Sequence, residues 1–168
     1  MYAALLKGDI DILCGLGYAD ERLDVLNYSN YPMGYENYYL YIHDDDNSTV
    51  KDDASTLNGK KIGTISGLME DSLLEWLSDN NISAEIVVFD DVHLRDQALI
   101  DKKIDAFIGE GVSVSPKGNI IPLIKIKNVD MYICLSKNRL DLLEDLDLAQ
   151  ENLDNKEPDY LNELSKNN

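Results

Sequence analysis

Two charged residues that lie near glycines are the side chains of this sequence best suited to ligand chemistry. Arg22 follows the segment Gly15-Leu16-Gly17-Tyr18, and Glu110 lies between Gly109 and Gly111. A guanidinium can bind a carboxylate through two parallel hydrogen bonds, and a carboxylate can bind an ammonium group. Glycines let a ligand approach the backbone closely. Together these residues predict a site for a small zwitterion such as an amino acid.

A third segment with a glycine, Ser66-Gly67-Leu68-Met69-Glu70, follows a predicted strand and begins a predicted helix. The first N–H groups of a helix have no partner within the helix, and the helix dipole places positive charge there. The segment therefore predicts further donors for the same anion. Two alternatives stay open. Arg22 can form a surface ion pair with Glu21 or Asp24. Glu110 can be a solvated strand end.

Signatures of catalysis and of cofactor binding do not fit this sequence. His43 and His93 have neither metal-ligand spacing nor a nucleophile signature nearby, and there is no Gly-x-Ser-x-Gly elbow. The segment Gly59-Lys60-Lys61-Ile62-Gly63 lacks the residue order of a phosphate-binding loop. We therefore expect a binding protein that is not an enzyme and that uses no cofactor and no metal.

Composition narrows the class of partner. The chain has 168 residues and a formal net charge of −17, which disfavours nucleic acid and anionic membrane surfaces. We interpret the acidic stretch 43–53 as an exposed loop, because its spacing differs from that of a calcium loop. Cys14 and Cys134 lie in apolar runs, which indicates two buried thiols, with a disulfide as the alternative.

Apolar periodicity predicts the elements that must position these residues. Helices are expected at about 2–7, 68–79, 92–101, 139–153 and 158–166. Strands are expected at 10–14, 38–42, 61–65, 85–89, 104–108 and 131–135. This alternation predicts an α/β fold with mostly parallel sheets. The segments 4–17 and 98–111 repeat one order of helix, turn, strand and Gly-x-Gly, which predicts two lobes of related topology unless the similarity is chance.

The order of these segments resembles that of the bacterial family 3 extracellular solute-binding proteins. The segment 27–41 is most similar to the sensor domains that are fused to diguanylate cyclases and histidine kinases. The resemblance spans nearly the whole chain, and it rests on the runs Leu5-x-x-Gly-Asp-Ile-Asp-Ile-Leu13, Glu21-Arg22, Tyr28-Ser29-Asn30-Tyr31-Pro32, Leu57-Asn58-Gly59-Lys60-Lys61, Ile104-Asp105-Ala106-Phe107-Ile108 and Tyr132-Ile133-Cys134-Leu135.

This resemblance implies a two-lobed, type II periplasmic-binding-protein fold. Lobe 1 would comprise 1–42 and 130–168, lobe 2 would comprise 43–129, and the crossings 38–42 and 131–135 would form the hinge. The family's carboxylate-binding arginine falls on Arg22, and its ammonium-binding acid falls on Glu110, where aspartate is more usual. Gly15 and Gly17 replace the family's hydroxyl side chains. Leu68 or Met69 replaces a threonine. These departures imply a more apolar or differently shaped ligand.

The resemblance also implies a location and a partner. We expect an extracytoplasmic domain, tethered to the membrane in the full-length protein, that binds an amino-acid-like molecule as the sensory input of a membrane signalling protein. The binding component of an amino-acid importer and a degenerate interaction domain without a ligand are the alternatives. Family members begin with further βα elements before the helix at 2–7. Lobe 1 is therefore expected to be incomplete, with an uncovered sheet edge that favours a homodimer.

Overall fold

A computed structural model describes residues 1–111 and 119–160 of the chain. Two short 3₁₀ turns lie at Asp20–Arg22 and Ala54–Leu57. The α-helices are α1 (Tyr2–Lys7), α2 (Leu68–Asp79), α3 (Val92–Ile100) and α4 (Leu140–Lys156). The strands are β1 (Ile12–Gly17), β2 (Leu26–Tyr28), β3 (Gly34–His43), β4 (Lys61–Ile65), β5 (Glu85–Phe89), β6 (Ala106–Glu110) and β7 (Ile120–Ser136). Within the described ranges, no helix is both long enough and apolar enough to cross a membrane.

Most predicted elements are present, and the differences have local causes. The four helices expected before residue 157 begin and end within about three residues of their predicted bounds, whereas the helix expected at 158–166 lies largely outside the described residues. The predicted strands 61–65 and 85–89 match β4 and β5. β1 and β6 begin two residues later than predicted. β2 and the first half of β7 were not predicted.

The repeated segment explains why β1 and β6 begin late. After α1, the N–H groups of Asp9 and Ile10 both donate to the carbonyl of Ala4, at 2.9 and 3.4 Å. After α3, the N–H groups of Lys103 and Ile104 donate to the carbonyl of Ala98, at 2.8 and 3.4 Å. In each repeat the residues that would start the strand instead close the end of the helix. The similarity between the two segments is therefore structural.

The chain divides into two compact units, 1–36 with 129–168 and 37–128. In the first unit, β7 pairs antiparallel with both β1 and β2. α1 covers this small sheet, and its Leu5 is fully buried against Leu26 and Cys134. Burial of one leucine side chain contributes about 2 kcal/mol. Leu13 and Leu16 of β1 pack against this core, which holds the strand in place.

In the second unit, β4 lies between β5 and β6 and is parallel to both. β3 pairs antiparallel with β6, so the predicted parallel pairing holds for β4, β5 and β6 but not for the strands that connect the units. α3 packs on this sheet through Ala98 and Leu99, which contact Tyr41, Ile104 and Phe107 in the core. β4 ends at Ile65 and β6 ends at Glu110. Because the two strands are parallel, these ends lie at the same edge of the sheet.

Candidate ligand-binding site

The end of β1 brings an arginine and a tyrosine onto one carbonyl. Arg22 Nη1 donates a 2.9 Å hydrogen bond to the carbonyl oxygen of Gly17. The Tyr28 hydroxyl donates to the same oxygen at 3.1 Å, and it accepts from the Ala19 N–H at 3.3 Å. Burial raises the pKa of Tyr28, and hydrogen bonding to Arg22 partly opposes this rise. The guanidinium is therefore fixed at the carboxyl end of the strand.

The charge of Arg22 is not neutralised by a described carboxylate. The arginine ion pairs within the described ranges belong to Arg95 and Arg139. The surface ion pair of Arg22 with Glu21 or Asp24, which the sequence left open, is therefore not formed among these residues. The guanidinium lies over the ring of Tyr2, and its Cζ atom is 5.6 Å from the ring centroid. A planar cation that has further N–H donors besides the one bonded to Gly17 can bind a carboxylate.

Tyr18 belongs to an aromatic cluster beside this arginine. Its ring centroid lies 5.0 Å from that of Tyr28 and 6.2 Å from that of Tyr132. Hydrogen bonding with Asp20 raises the pKa of the Tyr18 hydroxyl, and the side chain is 43% exposed. The three tyrosines line a cavity of about 410 Å³. Tyr132 is not among the predicted site residues, although it lies in the predicted strand 131–135.

Gly15 shapes the end of β1. Its φ is 79°, a left-handed conformation that glycine adopts without strain. The register between β1 and β7 shifts between Cys14 and Leu16, which marks Gly15 as the extra residue of a β-bulge. Such a bulge increases the local twist of a strand. Gly15 and Gly17 therefore set the backbone on which Tyr18 and Arg22 are placed.

In the second unit, Gly67, Leu68 and Met69 form the start of α2. Gly67 caps the helix with φ 96° and provides no side-chain cap. Leu68 and Met69 are half-buried. This segment follows β4 directly, and it therefore lies at the edge of the sheet where β6 also ends. The predicted site residues of this unit thus occupy one edge.

Glu110 is the last residue of β6 and is half-buried. It pairs in register with Tyr38 of β3. Its carbonyl accepts a 3.2 Å hydrogen bond from the hydroxyl of Tyr41, and burial raises the pKa of Tyr41 to about 12. The backbone at this strand end is therefore anchored to the neighbouring strand.

Arg95 is a residue of this region that the sequence analysis missed. It is only 3% exposed. Its Nε and Nη2 donate to Asp96 Oδ1 at 3.0 and 2.8 Å, and its Nη1 donates to the Ile108 carbonyl at 2.8 Å. The guanidinium carbon lies 4.3 Å from the ring centroid of Phe107. The available signal was its position three residues before Ala98, which places a charge on the apolar face of α3.

A second polar cluster lies at the other end of β6. His43 Nδ1 is 3.3 Å from Asp44 and 2.6 Å from Asp45, and these ligand atoms lie close enough together to hold a metal ion. No metal site was predicted at these residues from the sequence. Lys102 Nζ already contacts Asp45 at 2.6 Å. A cavity of about 460 Å³ adjoins the cluster, and Asp105, the residue just before β6, also lines it.

The two cysteines are free. Leu13 pairs with Cys134, and Cys14 pairs with Ile133, so the two thiols lie on neighbouring, not opposed, positions of the β1–β7 ladder. Cys134 is buried as predicted, and burial raises its pKa to about 12. Cys14 is exposed, contrary to the prediction, because its side of the edge strand β1 is not covered by α1.

Comparisons with known proteins connect this architecture to a fold. No family model and no curated protein matches the sequence. The probable amino-acid ABC transporter extracellular-binding protein YtmK from Bacillus subtilis is 18% identical, with 98% of this chain and 73% of that chain covered and a TM-score of 0.77. An ancestral arginine-binding protein bound to arginine is 22% identical, with coverages of 94% and 71% and a TM-score of 0.69.

A putative L-cystine ABC transporter from Listeria monocytogenes is 16% identical, with coverages of 92% and 69% and a TM-score of 0.63. At these identities the likeness establishes the fold alone. The predicted α/β class is confirmed, and the chain has the fold of the periplasmic amino-acid-binding proteins.

Proposed function

We propose that this chain binds a small amino-acid-like molecule, whose carboxylate is held by Arg22. The observation that carries the proposal is the setting of this guanidinium. It is fixed by the carbonyl of Gly17 at a strand end, and it has no ion pair with a described carboxylate. Tyr18 and Tyr28 provide an aromatic wall beside it. An oriented, unneutralised cation next to aromatic rings suits a ligand that joins an anion to an apolar body.

The second unit supplies the other half of the proposed site. Glu110 would accept the ligand's ammonium group, and the first N–H groups of α2 near Gly67 would add donors for the carboxylate. Leu68 and Met69 at the same helix start are apolar. A ligand with an apolar side chain fits these residues better than one that needs hydroxyl partners.

The two units would act as lobes that close on the ligand. We propose 1–42 with 130–168 and 43–129 as the lobes, with the crossings 38–42 and 131–135 as the hinge. A ligand that contacts both lobes favours the closed state by its difference in affinity for the two states. Closure would thus be a shift in population that ligand binding produces.

Two settings suit such a domain outside the cytoplasm. The similar structures from Bacillus subtilis and Listeria monocytogenes favour the binding component of an amino-acid importer, since they are described as ABC transporter proteins. The similarity of segment 27–41 to sensor domains favours the input of a membrane-tethered signalling protein. A membrane helix and an output domain in the same open reading frame would identify the sensor. A homodimer through β1, the last strand at one end of the sheet order, stays a prediction.

A thermal-shift screen of the twenty common L-amino acids tests the proposal. Ligand at a hundredfold excess over Kd stabilises the folded state by ~2.7 kcal/mol. Arg22→Ala and Glu110→Gln are expected to remove this shift. Arg139→Ala is the matched control, because Arg139 lies in the same unit but forms ion pairs with Asp11 and Asp141. No stabilisation of the wild-type protein by any of these amino acids would refute the proposed ligand class and favour an interaction domain.

A further inference from the structure

Arg95 connects three segments of the second unit. It belongs to α3, it donates to the carbonyl of Ile108 in β6, and its Nη1 lies 3.4 Å from the sulfur of Met69 in α2. Ile108 is two residues from Glu110, and Met69 is in the first turn of its helix. Both segments carry residues of the proposed ligand site. Arg95 thus contacts the site's framework from within the core.

The contacts of Arg95 are those of a fixed side chain. Its charge is balanced by Asp96, its guanidinium carbon lies over the ring of Phe107, and only 3% of the residue is exposed. A buried ion pair is often no more stabilising than well-packed apolar residues, so its contribution to fold stability alone is a weak reason for it. Arg95 also directs its hydrogen bonds to defined partners, because the N–H donors of a guanidinium lie in a rigid plane.

The side chain of Met69 is flexible, and a fixed partner is needed to hold it in one conformation. Methionine has three rotatable side-chain bonds and adapts its shape to its surroundings. A half-buried methionine at a helix start would sample several rotamers unless a contact selects one. The Nη1–H of Arg95 provides a donor to its sulfur. The contact therefore restricts a long, flexible apolar side chain at this edge of the sheet.

We propose that Arg95 is a positioning residue that holds Met69 in one conformation and thereby sets the apolar side-chain preference of the ligand site. The inference rests on the proposed function, but its first half concerns the unliganded protein and is tested without a ligand. Arg95 itself touches no ligand. It acts through Met69 and through the end of β6.

Methyl NMR of protein labelled at the methionine methyl groups tests the positioning. The chain has four methionines, so the Met69 resonance can be assigned from Met69→Leu. Arg95→Lys keeps a charge beside Asp96 but removes the planar donor group. We expect it to move the Met69 methyl resonance toward its value in the unfolded chain. Leu99→Ala, a buried change on the same helix, is expected to lower stability and leave the Met69 resonance in place. An unchanged Met69 resonance in Arg95→Lys would overturn the inference.

Affinities for the twenty common L-amino acids test the consequence. Arg95→Lys is expected to weaken the best-bound amino acid about tenfold, as loss of one directed contact does. In a Met69→Leu background the same substitution should change affinity less than about twofold, since leucine has no sulfur to hold. Met69→Leu alone should reproduce the loss, which covers the case in which Arg95→Lys folds poorly.

Equal losses of affinity in both backgrounds would show that Arg95 does not act through Met69 and would overturn the inference, while the proposed function would stand. If the wild-type protein binds no amino acid, the proposed function fails and the ligand-preference half of the inference fails with it. The methyl spectra still decide the positioning half in that case.

Discussion

Lys102 provides a quantitative test of the repeated turn. It has φ 56°, and the equivalent residue of the first repeat, Gly8, has φ 76°. A residue with a side chain loses about 1–2 kcal/mol in this left-handed conformation. Glycine avoids that loss, but its unfolded chain is freer, which offsets about 0.5–1 kcal/mol. Lys102→Gly should therefore have a free energy of unfolding about 0.5–1 kcal/mol above that of Lys102→Ala.

The comparison with Lys102→Ala isolates the free-energy cost of the left-handed backbone conformation. Both variants lose the same ion pair between Lys102 Nζ and Asp45, so its contribution cancels. Gly8→Ala is the reciprocal change and should lower stability by about 0.5–1 kcal/mol. A Cβ at Gly8 would meet no atom within 4 Å, so only backbone strain is introduced. Urea unfolding followed by circular dichroism measures all four proteins, with an unchanged m-value as the check on two-state behaviour. Equal or lower stability of Lys102→Gly than of Lys102→Ala would refute the reasoning.

Three further predictions concern the cysteines, Asn37 and Tyr41. In the folded protein at pH 8, iodoacetamide should modify exposed Cys14 well before Cys134, whose pKa burial raises to about 12; mass spectrometry that found equal rates would contradict this. Asn37→Val should raise the free energy of unfolding by about 1 kcal/mol, because Asn37 Oδ1 is buried without a hydrogen-bond partner among residues 1–111 and 119–160; a loss of stability in urea would contradict this. Burial raises the pKa of Tyr41 to about 12, so its contribution to stability is complete below its ordinary pKa of 10.0 and is lost as pH rises toward 12. In Tyr41→Phe the fall in stability over that pH range should be smaller, and an unchanged pH profile would exclude Tyr41 as a cause.

Several elements could be predicted because local signals and tertiary packing agree. β4, β5 and α2 match their predicted bounds, and the residues around them supply clear turns and caps, such as Gly59 at φ 75° and Gly67 at φ 96°. β1 and β6 were predicted two residues early because the apolar residues Ile10 and Ile104 fit a strand pattern. Hydrogen bonds that close the preceding helices, not hydrophobicity, decide where these strands begin.

Other elements lacked a usable local signal. β2 has three residues, too few for an alternating pattern. The first half of β7 contains Pro122, which usually argues against a strand. Isoleucine and lysine alternate over only the four residues 124–127, which is a short signal for a strand of 17 residues.

The candidate site was predictable in its residue types but not in its contacts. The glycines that precede Arg22 and flank Glu110 pointed to strand ends, and the structure places these residues there. The partner of Arg22 could not be predicted, because a backbone carbonyl such as that of Gly17 carries no signature in the sequence. Arg95 was missed because charged side chains are almost always exposed, and the Ile108 carbonyl and Phe107 ring beside its guanidinium belong to a strand that only tertiary structure brings to α3.

The claim that a fixed guanidinium recognises a carboxylate can be measured by calorimetric titration of the best-bound L-amino acid and of the same amino acid with its carboxylate converted to a carboxamide. The wild-type protein should bind the carboxylate form at least about tenfold more tightly, since a charge-assisted hydrogen bond contributes about 1.5–3 kcal/mol. Arg22→Ala should bind both forms weakly and with nearly equal affinity. Equal affinity of the wild-type protein for the two forms, or full discrimination retained in Arg22→Ala, would contradict the role of Arg22.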